Sequence, residues 1–121
     1  MASVLVVDDD KVHSHLVAGV LRGKAYKVQN AFDAVQGLML AMRTPRFDAI
    51  VLDMSMPGGS GEDLLMKLKR SSKTSGIPVI ILSGSIDPAG QARARELGAD
   101  AVLSKPLVPE DLIAALSAAL A

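Results

Sequence analysis

Short apolar runs alternate with amphipathic segments along the whole chain. The runs predict five strands, at residues 3–7, 26–29, 49–52, 78–82 and 101–103. The first, fourth and fifth are nearly continuous Val, Ile and Leu, which is typical of parallel strands covered on both faces of a sheet. The second alternates apolar and polar residues, and this pattern favours a more exposed edge strand.

Five segments with helical spacing follow the five strands in turn. In the first segment, Val12, Leu16 and Val20 share one face. Capping signals mark the starts of three others: Asp33 with Gln36, Ser60 with Asp63, and Asp87 followed by Pro88. The fifth helix begins at Pro109. Strands that alternate with helices predict right-handed βαβ units and therefore an α/β fold with a doubly wound parallel sheet.

Polar side chains follow four of the predicted strands. Residues 8–10 are three aspartates after the first strand, Asp53 ends the third, and Ser83 and Lys105 follow the fourth and fifth. These positions share the carboxyl edge of a parallel sheet, where such folds bind ligands. Carboxylates that crowd together repel each other, and oxygen-only ligands favour Mg²⁺ or Mn²⁺. An ammonium and a hydroxyl beside them suit a phosphoryl group, which an Asp carboxylate can attack.

Composition and charge exclude several other classes of protein. The 121 residues fit one domain, 1–121, and 13 basic residues balance 13 acidic ones, which argues against a general nucleic-acid binder. Aromatic residues at 2% offer no stacking platform for single strands. The chain has no cysteine, which excludes thiolate zinc sites and suits the cytoplasm. No run is long enough to span a membrane, and the N-terminus lacks the basic segment of a signal peptide.

The strand-end residues lie in recognisable motifs, at residues 6–9, 52–57, 82–84, 98–100 and 105–106. Through them the chain resembles the receiver domain of bacterial two-component response regulators over essentially all of its length. The resemblance implies a flavodoxin-like sheet with strand order 2-1-3-4-5 and five helices distributed over both faces. It also implies a phosphoacceptor switch that catalyses only its own phosphorylation and dephosphorylation, and not an enzyme with an external substrate.

The resemblance assigns the metal and acceptor roles residue by residue. Asp53 would accept the phosphoryl group and ligate Mg²⁺ or Mn²⁺. Asp9 would bind the ion directly, and Asp8 would bind it through water. The backbone carbonyl of Ser55 would complete the protein ligands.

The remaining implied roles concern the phosphoryl group and its partners. Ser83 would hydrogen-bond the phosphoryl group, Lys105 would pair with it, and the peptide bond before Pro106 would be cis. The phosphodonor would be a sensor histidine kinase or a histidine phosphotransfer protein. An unidentified downstream protein would bind through helix 4, strand 5 and helix 5, without direct contact with nucleic acid or a membrane. Whether the chain acts alone or within a longer regulator or hybrid kinase is left open.

Two departures from the family pattern, and the residues at two tuning positions, modify these expectations. Val102 stands where the family usually has an aromatic residue, so we do not expect the usual aromatic switch. No basic residue follows Lys105, so we expect no dimer held by charge pairs across helix 4, strand 5 and helix 5. Ser55 and Ser85 stand at the two positions that tune dephosphorylation, and their small size predicts a phosphoryl group that is not unusually long-lived.

Two alternative functions remain open at this point. A receiver fold without chemistry would be a protein-interaction module. A haloacid-dehalogenase-like phosphatase would use Asp8 as nucleophile and Asp10 as acid and base. His13 and His15 are not expected to form a metal pair, since residues two apart on a helix point in different directions.

Overall fold

The structure is a computed structural model that describes residues 1–84 and 87–121. In this part of the chain, five strands alternate with five α-helices and one short 3-10 turn. In chain order they are β1 (Ser3–Val7), α1 (Lys11–Arg22), β2 (Lys27–Ala31), α2 (Ala34–Ala41), β3 (Ala49–Asp53), the 3-10 turn (Pro57–Gly59), α3 (Ser60–Arg70), β4 (Val79–Ser83), α4 (Pro88–Glu96), β5 (Ala101–Ser104) and α5 (Pro109–Leu120). All strand pairs are parallel and the order is β2-β1-β3-β4-β5, which confirms the predicted fold.

Successive strand residues point to opposite faces of the sheet. Helices cover both of these faces. On one face, Val6, Val51 and Leu82 pack against α1 and α5. On the other face, the neighbouring residues Leu52 and Ile81 pack against α2, α3 and α4. Burial on both faces explains why β1, β3 and β4 are continuous apolar runs. The carboxyl ends of these strands are thereby held on rigid elements.

Helix α1 buries a different face from the one that its apolar spacing indicates. Val12 is 82% exposed and Leu16 is 56% exposed, so these two residues do not belong to the core. The buried residues of the helix are Ser14, Val17, Ala18 and Leu21. Asn30 of β2 donates a hydrogen bond to the Ser14 hydroxyl at 2.5 Å, so the buried polar atom has a partner. Apolar spacing indicated the face of Val12 and Leu16 because it does not count a serine as a residue that can be buried.

The helix ends follow the predicted capping signals in two of three cases. The Asp33 carboxylate accepts from the backbone N–H of Gln36 at 2.7 Å, and the Asp87 carboxylate caps α4 in the same way. The cap expected at Ser60 is wrong by one residue. Gly59, with a φ of 71°, occupies the cap position of α3, and Ser60 is the first helical residue.

The helices are short by comparison with membrane-spanning ones. The longest in the described part of the chain, α1 and α5, have 12 residues each. A bilayer crossing takes about 20 apolar residues. None of the helices described here has the length and apolar character for such a crossing.

Candidate functional site at the carboxyl edge of the sheet

The carboxyl ends of β1, β3, β4 and β5 bring the predicted polar residues to one edge of the sheet. Asp8 directly follows β1, and its N–H still pairs with the carbonyl of Ala31 in β2 at 3.0 Å. Asp53 and Ser83 are the last residues of β3 and β4. Lys105 follows β5 and donates its N–H to the Ser83 carbonyl at 2.9 Å. Ladder pairing that continues past the strands therefore fixes where these residues stand.

Asp53 is a buried carboxylate with two hydrogen-bond donors. Its Oδ1 accepts from the backbone N–H of Ser55 at 2.8 Å, and its Oδ2 accepts from Lys105 Nζ at 2.6 Å. Burial by itself raises the pKa of Asp53, but the bonds from Lys105 and Ser55 outweigh it and the pKa is lowered. Asp53 is therefore an anion at neutral pH, with an ammonium group beside it.

Asp8 is buried next to Asp53 but is shifted in the opposite direction. Its Oδ1 accepts from the backbone N–H of Asp10 at 2.9 Å, and its Oδ2 lies 2.5 Å from His13 Nδ1. Burial raises the pKa of Asp8, the contacts with His13 and Asp10 oppose this, and the charge of Asp53 adds to the rise. Two adjacent carboxylates with opposed shifts indicate a site where a further positive charge would be stabilising.

Three metal-ligating side chains converge at this point in the described part of the chain. One ligand atom each from Asp8, His13 and Asp53 lie within 4.8 Å of one another, so this acidic cluster fits a divalent cation. The Asp9 side chain is exposed and lies outside this group. His13 was not predicted as a member. Its position in the first turn of α1 was the available signal, since helical side chains lean toward the N-terminus and so toward the end of β1.

The loops around the site contain exposed residues beside the buried carboxylates. Ser55 and Gly84 are exposed, and a Cβ built on Gly84 would lie 3.9 Å from both Ser55 Oγ and Lys105 Cδ. Three strand-end loops therefore meet above Asp53. The peptide bond that links Lys105 to Pro106 is cis, as the family resemblance implies. The expectation for Ser85 lies outside the described residues.

Asp10 has a structural task at the start of α1. Its Oδ1 accepts from the backbone N–H groups of Val12 at 3.0 Å and of His13 at 3.1 Å. This is the arrangement of a helix N-cap, which satisfies donors that the helix leaves unpaired. The cap accounts for the position of the Asp10 carboxylate without a role in catalysis.

A cavity of about 160 Å³ lies next to the site, between β4, β5 and the helices α3 and α4. Val102, half-buried on β5, lines it together with Met54, Ser83 and Leu97. The cavity is where a larger side chain at position 102 would pack.

Comparisons with known proteins agree on one family. A sequence model described as the response regulator receiver domain matches residues 4–117. The two-component response regulator ORR11 of Oryza sativa subsp. indica is 38% identical over 109 residues, which cover 90% of this chain and 74% of that protein. The phosphate regulon transcriptional regulatory protein PhoB of Escherichia coli (strain K12) is 34% identical over 115 residues, and the match spans 95% of this chain but only 50% of PhoB. The structure of the Vibrio cholerae chemotaxis protein CheY4 matches with a TM-score of 0.91, 31% identity and 99% coverage of both chains.

Proposed function

Since this chain belongs to the response regulator receiver domain family of two-component systems, we propose that it is a phosphoacceptor switch that is modified on Asp53. The phosphodonor would be a phosphohistidine of a sensor kinase or of a histidine phosphotransfer protein. Phosphorylation would change which protein the domain binds. The state of Asp53, a buried anion beside an ammonium group, is the observation that carries this proposal.

The contacts of Asp53 support its role as the nucleophile. In the proposed step a carboxylate oxygen of Asp53 attacks phosphorus, and an O–P bond forms as the P–N bond of the phosphohistidine breaks. The electron pair of the P–N bond goes to the imidazole nitrogen. Lys105, which now holds Asp53 Oδ2 at 2.6 Å, would follow the added charge and pair with a phosphoryl oxygen. Ser83, at the end of β4, would donate a hydrogen bond from the neighbouring strand.

The two buried carboxylates support a divalent cation at the same point. Asp53 and Asp9 would hold Mg²⁺ or Mn²⁺ directly and Asp8 would hold it through water, with the backbone carbonyl of Ser55 as a further oxygen ligand. When bound, such an ion would neutralise the negative charge that develops on the phosphoryl oxygens during transfer. Lys105 supplies the chain's own positive charge in this process.

Hydrolysis would return the switch to its starting state. Water attacks phosphorus, the O–P bond to Asp53 breaks, and inorganic phosphate leaves while the carboxylate is regenerated. The exposed Ser55 leaves room for that water, so we expect a phosphoryl group that is not unusually long-lived. A lifetime of many hours in the presence of Mg²⁺ would contradict this part of the proposal.

The face formed by α4, β5 and α5 is the proposed output surface. Two of its charged residues are already engaged within the chain. Arg93 donates to Glu62 of α3 at 2.9 and 2.7 Å, and Asp100 accepts from Lys69 at 3.4 Å and from the backbone N–H of Val79 at 2.7 Å. These contacts support the expectation that the face does not form a charge-paired dimer. A tight phosphorylation-dependent dimer that Asp100→Ala dissociates in ultracentrifugation would contradict it.

Intact mass spectrometry tests the chemistry directly. The protein is incubated with acetyl phosphate and Mg²⁺, beside Asp53→Asn and the matched control Asp63→Asn, which removes an exposed carboxylate of α3. We expect one added phosphoryl group in the wild type and in Asp63→Asn. We expect none in Asp53→Asn or after removal of Mg²⁺ with EDTA.

Two other results would contradict the proposal. An adduct that persists in Asp53→Asn and maps to Asp8 would favour the phosphatase-like alternative. Absence of an adduct with acetyl phosphate and with a panel of phosphorylated kinases, together with a melting temperature that Mg²⁺ does not raise, would favour an interaction module without chemistry.

A further inference from the structure

Of the two histidines, His13 is the one that reaches the buried carboxylates at the carboxyl edge of the sheet. The Asp10 cap fixes the first turn of α1, and the His13 ring extends from that turn to Asp8, with Nδ1 at 2.5 Å from Oδ2. The His13 side chain is 18% exposed, so it is largely enclosed. His15 lies elsewhere, edge-on to Phe32 with ring centroids 6.3 Å apart. The two histidines therefore have separate environments and can be compared with each other.

Because His13 lies beside the two carboxylates, the possible metal ligands include a nitrogen atom as well as oxygen atoms. The converging ligand atoms are two carboxylate oxygens and one imidazole nitrogen, all within 4.8 Å. Opposite ligands of one ion with bonds of about 2.1 Å are about 4.2 Å apart. Atoms within 4.8 Å of one another can therefore bind one shared ion when their side chains adjust. Lys105 occupies one oxygen of Asp53, and a carboxylate has further lone pairs with which it can bind an ion.

The nature of the ligands determines which ion such a site prefers. Mg²⁺ takes oxygen ligands and keeps much of its water, whereas imidazole nitrogen suits Co²⁺, Ni²⁺ and Zn²⁺. We propose that His13 is a metal ligand in this chain, and that its imidazole shifts the preference of the cation site from Mg²⁺ toward these transition ions. The inference rests on the proposed function only in placing a divalent cation beside Asp53.

A metal titration tests the proposal without any measurement of phosphorylation. Binding of Co²⁺ is followed by its visible absorbance, and binding of Mg²⁺ by competition with Co²⁺, in the wild type, His13→Gln and the matched control His15→Gln. Glutamine keeps a polar group near Asp8 but removes the ring nitrogen. We expect the Co²⁺ affinity to fall about tenfold or more in His13→Gln. We expect the Mg²⁺ affinity to change less than about twofold, and His15→Gln to behave as the wild type.

A second measurement on the wild type does not depend on how a variant folds. In NMR spectra, Co²⁺ should shift the ring protons of His13 strongly at low equivalents, while those of His15 move little. Three results would overturn the proposal: equal Co²⁺ affinity in the wild type and His13→Gln, an equal loss of Co²⁺ and Mg²⁺ affinity, or stronger shifts at His15.

The experiments distinguish a failure of the His13 inference from a failure of the proposed phosphoacceptor function. Phosphorylation of the wild type with Mg²⁺, combined with a Co²⁺ affinity that does not depend on His13, would remove the inference and keep the function. A Co²⁺ affinity that depends on His13, in a protein that never forms an Asp53 adduct, would keep the inference and remove the function.

Discussion

The substitution Asp8→Asn should stabilise the metal-free protein. Asparagine has nearly the same shape as aspartate, and its side-chain oxygen can still accept from the backbone N–H of Asp10, which lies 2.9 Å from Asp8 Oδ1. What disappears is a charge, in a residue that is 1% exposed and lies next to the ionised Asp53. Burial and this neighbour disfavour the charged form of Asp8 in the folded state, and the unfolded chain carries no such penalty.

The size of the effect follows from the separation of the two carboxylates. Ligand oxygens of Asp8 and Asp53 lie within 4.8 Å, and at an effective dielectric constant of about 20 two unit charges at that distance repel by about 3.5 kcal/mol. The contacts of Asp8 with His13 and with the backbone N–H of Asp10 return part of this energy. We therefore expect a net gain of about 1 to 2 kcal/mol, or a rise of about 3 to 8 °C in melting temperature.

The pH dependence of the gain has a definite sign. The pKa of Asp8 is raised in the folded protein, so the wild type loses stability as the pH rises from the ordinary value of about 4 through the raised value. Asp8→Asn does not share this loss. Its advantage should be complete above the raised pKa and absent below pH of about 4, where Asp8 is neutral in both states.

Urea unfolding and thermal melts in EDTA and in Mg²⁺ measure the effect. Asp63→Asn is the matched control, because it removes an exposed carboxylate and should change stability by less than about 0.5 kcal/mol. With Mg²⁺ the wild type should gain stability by binding and Asp8→Asn should gain less, so that the difference between them shrinks. A lower midpoint for Asp8→Asn than for the wild type in EDTA would refute the reasoning. The contacts of Asp8 with His13 and Asp10 would then outweigh the repulsion.

Three further predictions concern the same edge of the sheet. Lys105→Met should destabilise the metal-free protein by about 3 kcal/mol in urea unfolding, because it leaves the buried Asp53 carboxylate without a cation; an unchanged midpoint would contradict this. The lowered pKa of Asp53 contributes stability that is present above its ordinary pKa and lost as the pH falls through the lowered value. Asp53→Asn should therefore lose less stability than the wild type when the pH is lowered in urea unfolding experiments. An equal loss of stability in both proteins would contradict the lowered pKa. Val102→Phe should be tolerated and should raise stability by about 1 kcal/mol in thermal melts, since the added ring can enter the cavity of about 160 Å³; a loss of more than about 1 kcal/mol would show that the cavity does not accept it.

The fold and most of the site could be predicted because both depend on strong local patterns. Buried parallel strands must be apolar on both faces, so the sequence marks them plainly, and polar residues such as Asp53 and Lys105 stand out where the strands end. Once the strands are ordered, the residues at their carboxyl ends must meet. The structure confirms this convergence for Asp8, Asp53, Ser83 and Lys105.

The errors have a common physical origin, because a residue's surroundings do not follow from its own hydrophobicity. The buried face of α1 contains Ser14, whose hydroxyl is satisfied by Asn30 from a different element, so apolar spacing indicated the wrong face. The spacing of His13 and His15 predicts that their rings point in different directions, and in the structure they contact different residues. The partner that matters, Asp8, lies outside the helix, and only the tertiary structure brings it within reach.

The opposed pKa shifts of the two buried acids bear on which of them is the nucleophile. Environments that push neighbouring carboxyl groups apart in pKa assign them different tasks. Asp53 is held ionised by Lys105 and Ser55, whereas burial and its neighbour favour the protonated form of Asp8. The lowered pKa of Asp53 keeps this carboxylate ionised for the proposed attack, whereas Asp10, which the phosphatase alternative would use as acid and base, caps α1. The same electrostatics that make Asp8 costly in the free protein therefore fit the proposed roles, in which Asp53 attacks phosphorus and Asp8 helps to hold the cation.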